Sequence, residues 1–133
     1  MNYSEMSGYE INNRLHNAIA CDGKYDLKVE GYKVTWTEKS TGRVIETLRK
    51  QYDKEFKDYL SSWADAGPII LSSLISIDPN YKFTDDTEET LAPTGTWRAE
   101  HIEKDGRIFR SSDKNPLRAA MIVFLMMQEA NNA

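Results

Sequence analysis

The sequence predicts an α+β fold in one domain, 1–133. It combines an antiparallel sheet (a meander plus a hairpin) with three helices, the C-terminal one central. Three stretches carry that expectation. From Ala119 to Met127 every residue is apolar, and a helix without a polar face is buried on most sides. Tyr25, Leu27 and Val29, and after Glu30-Gly31 Tyr32, Val34 and Trp36, recur at every second position, the period of a half-buried strand. Ahead of both, Ser7 and Glu10 have capping-box spacing and open a segment with one apolar stripe.

In chain order, the first helix carries Ile11, Leu15, Ala18 and Ile19 on one face and Asn13, Arg14, His16 and Asn17 on the other. Asp22-Gly23 stops it, and His16 is expected to be an exposed polar residue. The meander follows as Tyr25 to Val29, Tyr32 to Trp36 and Arg43 to Leu48, with turns at Glu30-Gly31 and Ser40-Thr41-Gly42. Trp36 points with Val34 and is expected in the core. The stretch from Gln51 to Leu60 suits either a short helix or a structured connection.

Ser62 and Asp65 repeat the capping spacing before WADAGPIILSSL, where Pro68 requires a kink or a late start. Ile75 and Ile77 begin a strand that Asp78-Pro79-Asn80 ends. Residues 84–95, TDDTEETLAPTG, read as a mobile acidic loop. Thr96 to Ile102 and Arg107 to Arg110 flank Asp105-Gly106, a type I′ hairpin signal. The last helix starts at Asn115, a good N-cap, with Pro116 behind it. Its nine-residue apolar run is short of the ~20 that span a bilayer, so it reads as a core helix. A helix half-exposed until it dimerises is the alternative, and it keeps a homo-oligomer open.

Seventeen basic against 21 acidic residues give a net charge of −4, a poor footprint for binding nucleic acid. The basic stretch from Arg43 to Lys57 is interleaved with acids and reads as a solvated face. Cys21 is alone, so there is no internal disulfide. The opening MNYSEMSGYE lacks the basic region and apolar run of a signal peptide. A reducing cytoplasm and no membrane partner are the expectation.

There is no Gly-rich phosphate loop, no nucleophile elbow and no histidine pair at metal-ligand spacing. The expectation is therefore a non-enzymatic protein without metal or cofactor. Arg118 is placed oddly: in the first turn of its helix a cation costs about 0.3–1 kcal/mol. An anionic ligand on the helix N-terminus would offset that cost, and so would Asp113 just upstream. Trp63, Asp65, Trp97, Asn115 and Arg118 all sit near element starts. Two indoles, a guanidinium and an acid would suit a nucleotide-like small molecule. The alternatives are an indole packed in the core and an acid that only caps its helix.

The segments MNYSEMSGYEINNRL, WADAGPIILSSLISI, TWRAE and NPLRAAMIVFLMMQEANNA resemble the NinX-like proteins of tailed phages and prophages. More loosely, the layout is similar to small phage α-β-α sandwich domains. The resemblance implies a phage-encoded accessory protein made in the bacterial host, and it brings no activity with it. Accessory genes of this class often serve host takeover or counter-defence. Two functions fit: sequestering a nucleotide-like signal of bacterial immunity, or blocking a host protein through the acidic loop and the meander strands.

Overall fold

The computed structural model describes residues 2–48, 57–84 and 90–131. The fold is α+β, with three α-helices and two separate three-stranded antiparallel sheets. The single sheet expected from the sequence is thus two sheets, because the Ile75 strand pairs with the hairpin and not with the meander. The chain divides into two compact units, Met1–Tyr59 and Leu60–Ala133.

In the first unit a single 3-10 turn at Tyr3–Glu5 precedes α1, Gly8–Ala20. Ser7 caps α1, its hydroxyl accepting from Glu10 N at 3.1 Å. The Glu10 carboxylate is turned to Arg14 at 2.8 Å, an i,i+4 pair. Asp22 (φ 52°) and Gly23 (φ 68°) turn the chain in the left-handed region, which Gly and Asp enter most readily. The meander follows as β1 (Tyr25–Glu30), β2 (Lys33–Glu38) and β3 (Val44–Leu48), in the order β1-β2-β3. Cross-strand register sets Trp36 opposite Leu27 on one side and Ile45 on the other. Ile11, Leu15, Val34 and Trp36 form this unit's core with Tyr3 and Tyr59.

The polar side of α1 is not exposed as its composition suggests. Asn12 and Asn13 are 1% and 2% exposed. Asn12 donates to Asp58 Oδ1 at 3.1 Å and accepts from Tyr59 N at 3.0 Å. It fastens the segment that ends this unit, and buried amides persist only when satisfied in this way.

In the second unit, α2 (Trp63–Ser72) starts on its Ser62 cap and runs through Pro68. Pro68 forfeits one backbone bond, but the helix neither starts late nor ends there. β4 (Ser76–Phe83) continues past Asp78-Pro79-Asn80, the expected stop. It is an edge strand, where a proline is tolerated, and the register shifts between Pro79 and Tyr81. β5 runs from Leu91 to Ile102, so 91–95 of the expected mobile loop are strand, with Leu91 opposite Phe83 and Pro93 opposite Tyr81. Pairing across the hairpin overrides a composition that looked unstructured; 85–89 lie outside the described residues, as do 51–56 of the undecided segment.

β5 turns into β6 (Ile108–Asp113) through Glu103 to Arg107. Gly106 N bonds Glu103 O, and Gly106 alone in that turn has positive φ. This is a longer turn than the type I′ that Asp-Gly suggested, with Gly106 closing it onto Glu103. α3 (Pro116–Asn131) packs on β5, β6 and α2. Nine of its sixteen residues, Leu117 to Met127 apart from Arg118 and Met126, are buried. At about 1.5–3 kcal/mol per large apolar side chain, this helix is the unit's main source of burial energy. Among the described residues no helix is long and apolar enough to cross a membrane.

Candidate ligand pocket

The first unit holds a pocket of about 190 Å³ lined by Asn13, His16, Cys21, Tyr25, Trp36, Ile45 and Thr47. Its walls come from α1 and all three meander strands. Tyr25 and His16 each meet Trp36 at near right angles, with ring centroids 5.8 and 6.1 Å away. This is the T-shaped arrangement that aromatic quadrupoles favour. The Trp36 indole is fixed in turn by donating to Thr47 Oγ1 at 3.1 Å. Asn17 holds Tyr25 in place, donating to its carbonyl at 2.8 Å and accepting from its N–H at 3.2 Å. The walls are therefore preformed.

Asn13 Oδ1 and the Thr47 hydroxyl are among the polar atoms left for a guest. Asn13 Nδ2 donates to Tyr9 O at 2.8 Å. A carbonyl only accepts, so the amide orientation is settled and Oδ1 remains. Among the described residues that oxygen has no hydrogen-bond partner. Among the described residues no sealed side-chain polar atom lacks a partner, so Oδ1 borders open space. The Thr47 hydroxyl accepts from the indole and keeps its own proton to give. Among the described residues that line the pocket there is no Lys, Arg, Asp or Glu. Burial, and then the charge of Asp22, push the Cys21 thiol above its usual range, with Lys24 pulling the other way. A thiol held protonated is a poor nucleophile.

The residues singled out from sequence lie in the second unit. Asn115 caps α3, its Oδ1 accepting from Leu117 N at 2.9 Å and Arg118 N at 3.3 Å. Its Nδ2 donates to Leu60 O at 2.7 Å, tying the start of α3 to the chain just ahead of α2. Asp113 Oδ1 accepts from Asn115 N at 2.9 Å, and Asp113 Oδ2 lies 3.2 Å from Arg118 Nε. The chain itself therefore supplies an anion to Arg118. Trp97 stands directly opposite Asp113 in the β5–β6 register and is 37% exposed. Asn115, Arg118 and Trp97 are thus gathered around Asp113. Trp63 and Asp65 open α2, Trp63 57% exposed, and the two indoles make no ring contact with each other.

Sequence reasoning passed over Asn13, His16 and Trp36 as pocket residues. Asn12 carried a signal: it falls three and seven residues before Leu15 and Ile19, on the apolar side by helical spacing. Nothing comparable marks Asn13. Among the described residues, no three of His, Cys, Asp and Glu stand together as metal ligands would.

Fold and pocket together define a small α+β protein with a preformed, aromatic-walled recess. The family model described as Bacteriophage P22, NinX matches residues 2–128, and the chain belongs to that family. No curated protein matches it.

Proposed function

We propose that this phage accessory protein is a non-enzymatic binder that works in the cytoplasm of the bacterial host. It sequesters a nucleotide-like signalling ligand in a counter-defence role. The observation that carries this reading is the recess itself: three aromatic side chains around a buried amide whose oxygen is unpartnered. Its volume of about 190 Å³ lies below the ~300–1,000 Å³ of sites that engulf a drug-sized molecule. A single ring system fits, and the rest of a larger nucleotide projects outward. Binding is favoured over catalysis by the burial that pushes the Cys21 thiol above its usual range and makes it a weaker nucleophile.

The test uses Trp63→Phe/Trp97→Phe, in which Trp36 is the only tryptophan left. Titration with nucleotides and cyclic dinucleotides is expected to change Trp36 emission. Ligand at 100 times Kd should add about 2.7 kcal/mol of apparent stability. Binding that survives in wild type but is lost in the double variant would move the site to the group of Asn115, Arg118 and Trp97 around Asp113. A second reading, antagonism of a host protein, is favoured by a separate observation. Tyr81, Phe83 and Leu91, 56, 52 and 55% exposed, stand on one face of the β4–β5 ribbon. A flat ligand screen, with a host protein that binds wild type but not Phe83→Ser, would put that reading ahead.

A further inference from the structure

We infer that the pocket recognises the uncharged donor–acceptor edge of a nucleobase, and that any phosphate on the ligand stays outside it. This rests on the binding role proposed above and concerns the same recess. The geometry limits what can enter in three ways. Asn13 is 2% exposed and its amide cannot turn without losing Tyr9 O, so Oδ1 accepts and nothing else. It calls for an N–H on the guest. The Thr47 oxygen is engaged by Trp36 Nε1, so its free proton calls for an acceptor on the guest. A planar ring with an N–H beside a carbonyl or ring nitrogen meets both, and the edges of nucleobases are built that way.

The second limit is charge. Among the described residues lining the recess there is no Lys or Arg, and an anion taken from water into such a place would be left uncompensated. The third is size, since about 190 Å³ suits a base and not a base with its sugar and phosphate. Trp36, Tyr25 and His16 supply aromatic surface for the ring, a sequence-tolerant source of affinity. The Asn13 and Thr47 pair then selects orientation.

Calorimetry with the four common ribonucleosides and their 5′-monophosphates tests this. Each nucleoside that binds is expected to do so within about threefold of its monophosphate, because the phosphate makes no charge-assisted bond. Were the phosphate held, the monophosphate would bind roughly tenfold tighter or more. Thr47→Val, at a half-buried position on the edge strand β3, should weaken binding roughly fivefold. Methylating the base N–H of whichever nucleoside binds should do at least as much. That modification probes Asn13 Oδ1 without altering a buried helix residue. A monophosphate that changes Trp36 emission while its nucleoside does not would leave the binding role standing and overturn this inference. So would affinity indifferent to both Thr47→Val and base methylation. Silence from every nucleoside and nucleotide would overturn both.

Discussion

Helices α1 and α3 make opposite use of their polar residues. In α3 the polar residues stand at the ends, and the apolar run between them is buried with little exception. In α1 polar and apolar residues alternate around the axis, yet Asn12 and Asn13 are as buried as Ile11 and Leu15. An uninterrupted apolar run such as AAMIVFLMM is a reliable mark of burial, because a helix without a polar face has none to turn to water. Polar composition is not an equally reliable mark of exposure. An amide goes inside whenever the fold offers it partners, and where one of its atoms is left over a pocket gains a recognition group. One helix supplies stability; the other supplies chemistry.

The contrast is most easily broken in α3. Leu125 is 5% exposed, and Leu125→Ala should cost about 2–5 kcal/mol in urea denaturation, as buried leucines do. A cost well under 1 kcal/mol would mean the helix is not the centre of its unit. Sedimentation at two concentrations would then show whether a dimer covers it.

Asn12→Ala is the matching experiment in α1. It removes two hydrogen bonds and strands the N–H of Tyr59, a residue only 2% exposed. Leaving such a group unpaired costs about 1–3 kcal/mol. Proteolysis rates at 57–60 should rise with it. Stability unchanged within about 0.5 kcal/mol would return α1 to the simple two-faced helix that its spacing suggested.

Arg118→Ala gives the smallest effect and sharpens the comparison at the start of α3. The lost pair with Asp113 is partly exposed, with side chains at 16% and 25%. Removing a cation from the first turn returns about 0.3–1 kcal/mol. A net loss of about 1 kcal/mol is expected, with nucleoside affinity unchanged. A free protein that is no less stable, together with weakened nucleotide binding, would show that Arg118 serves a ligand and not Asp113.

Much of this fold is written locally in the chain. Ser7, Ser62 and Asn115 cap the helices they precede, because a hydroxyl or amide oxygen next to free N–H groups acts over a few ångströms of its own chain. The period-two run from Tyr25 and the uninterrupted apolar run in α3 likewise determine strand and buried helix, since side-chain direction follows from backbone geometry alone. What lay beyond the sequence depends on partners distant in the chain. Leu91 to Pro93 became strand through pairing with Tyr81 to Phe83, against their composition. The hairpin and the Ile75 strand form a sheet apart from the meander for the same reason. The candidate site was the least legible part. Arg118 looked exceptional because its helix position disfavours it, and Asp113, five residues upstream and already the alternative to a ligand, is paired with it. Asn13 looked ordinary, and became a candidate for recognition only because folding set Trp36, Tyr25 and Thr47 around the same recess and left its oxygen without a partner. Satisfaction of a polar atom is a property of its surroundings, so it is decided by tertiary structure and by nothing local.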